Sequence, residues 1–220
     1  MSRRQWIGLA AVLFGVILFV GIVSSGTTPD RDGSDAAELY EAFWADDSNS
    51  DAASRGSILL TYATVLFLLM ASGLHWLLRR VDDGPLPVVV LAGGVASAAG
   101  FGAAAALLNG AGLAAAEGGY EPDGGSALLV ESIGYYTATA AVMAAAAMAV
   151  AFSLSNRRAR VVPQWTLVLS ALLGLAALGS IFSAWVGFML LPLWGVVVGV
   201  CLLATKESAP VDSAPQPAAV

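Results

Sequence analysis

The chain has 220 residues, 58% hydrophobic and 12% charged, where an ordinary soluble domain carries roughly 25% charged residues, and its mean hydropathy of +0.77 excludes a water-soluble globule. A net charge of -6 and a pI of about 4.6 leave no basic surface for nucleic acid. One cysteine and one histidine exclude a disulfide framework and any zinc site rich in sulfur or nitrogen built by a single chain.

The apolar runs are continuous rather than alternating, so they span a membrane as helices and not as a barrel. The expected fold class is all-α, a polytopic membrane protein with a bundle of six transmembrane helices and a short extracytoplasmic amphipathic helix. Arg3 and Arg4 precede the first run, at 6–23. This run exceeds the usual signal-peptide core and lacks a good cleavage site, so it reads as a retained span. Gly8, Gly15 and Gly21 mark a smooth stripe on it suited to close helix contact.

The loop at 24–56 is acidic, with eight Asp and Glu residues from Asp30 to Asp51 against Arg31 and Arg55. Within it, Asp35 and Glu38 have capping-box spacing, and Ala36, Leu39, Tyr40, Phe43 and Trp44 recur at helical intervals. A membrane-surface helix is usually Lys-rich, so this acidic one is expected to dock on the protein's own spans. Leu39, Tyr40, Phe43 and Trp44 then form an extracytoplasmic lid near Glu131.

The second span is placed at 57–78, ending at Arg79 and Arg80, and the third at 86–108. The third is rich in Gly and Ala, with Gly94, Ala98 and Gly102 as a small-residue ladder, and is expected to lie in the middle of the bundle. A Gly-rich loop over 109–126 leads to the fourth span, 127–154, which closes at Arg157, Arg158 and Arg160. The apolar stretch after Val162 is too long for one crossing. It reads as two spans, 164–182 and 187–204, turning near Ser183 to Val186, with Pro192 as a kink in the last. The tail, 206–220, reads as disordered and cytoplasmic.

With six spans, Arg3, Arg4, Arg79, Arg80, Arg157, Arg158, Arg160 and Lys206 share one side and only Arg31 and Arg55 the other. The positive-inside rule then puts both termini in the cytoplasm of a cell membrane. Glu38 to Trp44, the approach from Asp51 to Arg55, and the exit at Leu77, Leu78, Arg79 and Arg80 together resemble an uncharacterised actinobacterial family of six- to seven-span membrane proteins. That resemblance implies a bacterial inner membrane location and brings no activity or site residue.

Glu131 is the one carboxylate inside an apolar run, and an ionisable group there is usually paired or functional. The ligand-binding candidates are Glu131, Tyr135, Tyr136 and Arg55. In the competing structural reading, Glu131 bonds Arg55, Tyr135 or a neighbouring helix. His75, beside Trp76, reads as an interfacial anchor. The acidic loops match no calcium-loop spacing, so no metal ligands are assigned, and no catalytic motif or cofactor fingerprint is present. The partners expected are the lipid bilayer and either a membrane protein or a second copy. A scaffold, accessory or sensing role ranks first, then a small-solute or ion transporter using Glu131, then a membrane-embedded lipid-modifying enzyme.

Overall fold

The structure, a computed structural model, describes residues 1–118, 123–179 and 184–205. In chain order the described residues form α1 (Arg3–Ser24), α2 (Ala36–Trp44), α3 (Asp47–Arg79), α4 (Leu86–Gly118), α5 (Gly124–Ala159), α6 (Thr166–Gly179) and α7 (Ala184–Ala204). Five of these, α1, α3, α4, α5 and α7, are long and apolar enough to cross a membrane. The described part of α6, 14 residues, is about 21 Å long, against a hydrocarbon core of roughly 30 Å. The turn expected between the last two spans falls largely on 180–183, and the tail on 206–220, both outside the described residues.

The long helices pack in a ring, α1 on α3, α3 on α4, α4 on α5, α5 on α6, α6 on α7 and α7 back on α1. Closure rests on missing side chains. A carbon added to Gly8 would lie 2.9 Å from the Gly199 carbonyl and one added to Gly199 2.6 Å from that of Gly8, while one on Gly15 would run into the Pro192 carbonyl. Backbones this close leave no room for a Cβ. Helix α7 continues through Pro192. Inside the ring, Phe14, Phe67, Phe101 and Phe188 make a chain of ring contacts at 4.8, 6.1 and 6.2 Å from α1 through α3 and α4 to α7.

The central helix is α5, not the Gly-rich α4. Of the span residues, 61% are buried in α5 and 39% in α4, and α5 also touches α2, α3 and α7. Small residues in α4 permit close approach to two neighbours, Gly94 to Ala71 of α3 and Gly100 to Ala141 of α5. They say nothing about centrality, because alanine also suits a lipid-facing surface, and Val88, Val89 and Val95 on the same helix are exposed.

Helices α3, α4 and α5 have 33, 33 and 36 residues, so each is about 50 Å long, more than a hydrocarbon core of roughly 30 Å requires. The overshoot corrects two expected boundaries: α3 begins at Asp47 rather than 57, and α4 runs to Gly118 rather than 108. Asp46 starts α3 by accepting from the Ser48 N–H at 2.9 Å, and Asp123 starts α5 by accepting from that of Ser126 at 2.9 Å. The projecting ends are held by a second apolar cluster of Tyr40, Trp44, Ala53 and Ala127. In α2 the expected capping box does not form. Asp35 has φ -101° and ψ 7° and makes no side-chain cap bond, since its backbone is not in the extended conformation from which a cap side chain folds onto N3.

The two ends of the ring differ. One, the acidic end, carries α2 and the overshoot. The other, the arginine end, carries Arg3, Arg4, Arg79, Arg80, Arg157 and Arg158, and is stapled by side-chain hydrogen bonds. Asn156 donates to the Val162 carbonyl at 2.9 Å and accepts from its N–H at 3.0 Å. Asp82 accepts from the Ser155 hydroxyl at 2.6 Å and from the Gly84 N–H at 2.9 Å. The Arg4 guanidinium donates to the carbonyl of Val161.

Candidate functional site

At the acidic end the ring does not close. A cavity of about 330 Å³ lies between α1, α3, α4, α5 and α7. Its floor and walls are apolar, formed by Phe14, Leu18, Leu60, Phe101, Ala104 and Phe188. Its roof is the strap over 25–31 that follows α1, backed by Trp44, Asn109, Glu131 and Tyr135. Gly26 sets the strap's course with φ of +79°, a left-handed conformation that an L side chain rarely adopts. The chain therefore turns back over the mouth of the bundle instead of leaving it.

Glu131 is 5% exposed. Its Oε1 accepts a hydrogen bond from the Thr28 hydroxyl at 2.7 Å, while its Oε2 is buried and accepts none. A buried polar atom without a partner costs about 1–3 kcal/mol, and more when charged. Trp44 Nε1 is a second buried polar atom at the cavity with no partner. The cation beside the site is Arg31, whose guanidinium lies 3.9 Å from the centroid of the Tyr135 ring.

The lid residues divide by face. Tyr40 and Trp44 are buried and Phe43 packs against them, whereas Leu39 is 44% exposed. At about 100° per residue Leu39 stands at the edge of the apolar arc, a full step from Tyr40. The α2 backbone comes down on the start of α5, where Gly124 leaves room for the Ala37 carbonyl. Gly112 of α4 accepts the Trp44 indole, and a carbon there would sit 2.5 Å from Cζ3. The Tyr40 hydroxyl donates to the Pro29 carbonyl at 3.3 Å, tying the lid to the strap. Burial first, and then the nearby Glu131 charge, push the Tyr40 phenol above its usual range, so it remains a donor.

Two of the ligand-binding candidates expected around Glu131 stand away from it. Arg55 is exposed on α3, because the buried stripe of that helix runs through Ala53, Gly56 and Ser57 and Arg55 lies off it. Tyr136 is 71% exposed, one residue around α5 from the cavity-lining Tyr135. His75 is at the other end of the bundle, where Nδ1 donates to the Pro87 carbonyl at 2.7 Å and joins α3 to α4.

Thr28 and Arg31 were not singled out in the sequence. Arg31 carried a signal as one of two bases in a segment of eight acids, whereas Thr28 has no period, motif or hydropathy contrast. Among the described residues no group of three His, Cys, Asp or Glu side chains is placed to hold a metal ion. The site combines an apolar chamber with the buried carboxylate of Glu131 and the Trp44 indole in its lining. Comparisons with family models, with curated proteins and with solved structures find no match.

Proposed function

We propose that this is a membrane-embedded binding protein. It takes a small amphiphilic molecule into the cavity at its acidic end and acts as a sensor or accessory subunit through the α2 lid. In this reading α6 and α7 form the last hairpin of six crossings in a bacterial cell membrane. Both termini are cytoplasmic and the acidic end faces outward. The arginine distribution supports that orientation.

The observation that carries the binding reading is the chamber, apolar below and polar above, with a buried carboxylate oxygen left without a partner. Its volume lies at the lower end of the range for small-molecule pockets, about 300–1,000 Å³. Conduction is less well supported. Transport sites are usually built on broken helices at the bilayer midplane, whereas α3, α4 and α5 run unbroken past the cavity and the phenylalanine chain lies beneath it. A lipid-modifying reaction would need several convergent polar groups.

The reading is tested with an alkyl alcohol bearing a photoreactive diazirine, applied to the protein in phosphatidylcholine nanodiscs and mapped by mass spectrometry. Adducts on cavity residues such as Leu60 and Ala104, lost in Ala104→Phe, support it. Adducts confined to lipid-facing residues such as Val88 and Leu129 overturn it.

A further inference from the structure

The fold leaves Glu131 half satisfied. Thr28 serves Oε1, but Oε2 accepts no hydrogen bond although the side chain is 5% exposed; the nearby Tyr40 hydroxyl, which interacts with Glu131, donates to the Pro29 carbonyl. The adjacent cation, the Arg31 guanidinium, stacks on Tyr135. We infer that the missing partner comes with the ligand, and that the cavity binds a single-chain amphiphile with a protonated primary amine whose N–H donates to Glu131 Oε2.

This inference rests on the binding reading above and adds the chemical class. Charge-assisted N–H to carboxylate bonds are about twice as strong as neutral ones, and a cation over an acidic mouth is also the species the surrounding field concentrates. Eight Asp and Glu residues from Asp30 to Asp51 stand against two arginines, Arg31 and Arg55, in that loop. Size is set by the chamber. At about 330 Å³ the chamber lies at the lower end of the roughly 300–1,000 Å³ range of small-molecule sites, which suits a single-chain amphiphile.

The same ammonium chemistry has a second source in the head group of phosphatidylethanolamine, so the experiment separates the two. Binding of radiolabelled n-octylammonium is measured to the wild-type protein in phosphatidylcholine nanodiscs, with n-octanol and n-octanoate as competitors, and repeated in discs containing phosphatidylethanolamine. The amine binds saturably, octanol competes about tenfold more weakly, octanoate does not compete, and phosphatidylethanolamine leaves binding unchanged. Glu131→Gln reduces amine binding about tenfold or more while octanol binding persists. Octanoate competing as well as the amine overturns the amine assignment and leaves the cavity reading standing. Loss of amine binding in phosphatidylethanolamine discs overturns the small-ligand assignment in favour of the lipid. If the diazirine alcohol also fails to label the cavity, both readings fall together. The wild-type series decides the head-group preference even if Glu131→Gln does not fold.

Discussion

Two buried polar residues at the arginine end, Asn156 and Asp82, and two at the acidic end, Glu131 and Trp44, have their polar atoms met in opposite ways. At the arginine end Asn156, fully buried, has both its amide groups matched to one residue, Val162, and Asp82 has a partner on each oxygen. At the acidic end Glu131 and Trp44 are as deeply buried and each leaves a polar atom without a partner. Polar residues at the first end close the frame. Those at the second stand around a chamber the frame does not fill, and a buried polar group that the fold leaves unsatisfied points to a role outside folding.

The contrast is tested most severely by Trp44→Ala. Truncating a buried Trp costs about 3–5 kcal/mol, and here the loss falls on the α2 cluster with Tyr40, Ala53 and Ala127. The expected outcome is fast hydrogen exchange and protease cleavage over 27–46, with the bundle's thermal midpoint little changed. A single cooperative loss of the whole bundle would mean that the acidic end is as much part of the frame as the other. Trp44→Phe, which keeps a ring in the pocket made by Gly112 and removes the unpartnered N–H, is expected to restore protection.

At the arginine end Asn156→Ala has the next largest effect. It strands the N–H and C=O of Val162 in a buried position, at about 1–3 kcal/mol for each group, and this time the global midpoint falls.

Asp82→Asn follows, and pH reads it. The Ser155 hydroxyl, then the Gly84 N–H, hold the Asp82 carboxyl below the usual carboxylate range, with Arg158 and Arg79 adding to the effect. A depressed folded-state pKa contributes stability that is present above the unfolded value of about 3.9 and is lost as pH falls through the lower folded value. The wild-type protein should therefore be the more stable near neutral pH, and the gap to Asp82→Asn should narrow at about pH 4 and below. A gap that persists in acid would show that hydrogen-bond geometry, and not the charge, holds this corner.

How far the contrast was legible in sequence depends on which physical signal each residue carried. Glu131 stood out because an ionisable group interrupts an apolar run, and Tyr40 and Trp44 because α2 keeps helical periodicity. The overshoot of α3 and α4 was hidden. Hydropathy falls where a helix leaves the membrane, yet the backbone continues, and the Ala-rich stretch after Asn109 propagates helix well outside lipid. Arg55 and Arg31 were indistinguishable as partners for Glu131 by charge and side. Only the Gly26 turn decides between them, by folding the strap back over the bundle. Asn156 and Asp82 gave no warning, since polar residues at the end of a span read as the start of a loop. Their partners, Val162 and Ser155, are set by tertiary contact alone.

The smallest expected change is the one that sharpens the contrast most, the stability of Glu131→Gln. If the carboxylate were a staple like Asn156, removing its charge would unpair a network and lower the midpoint by a comparable amount. But Glu131 makes one hydrogen bond, from Thr28 to Oε1, and the amide oxygen that the substitution leaves in that place keeps the acceptor. The atom that changes is Oε2, which had no partner to lose. Burying a neutral amide in place of a carboxylate also lowers the desolvation cost. The midpoint is therefore expected to move by no more than about 1 kcal/mol in either direction, measured by thermal unfolding in nanodiscs beside Asn156→Ala. A loss as large as that of Asn156→Ala would make Glu131 a structural residue and the two ends alike.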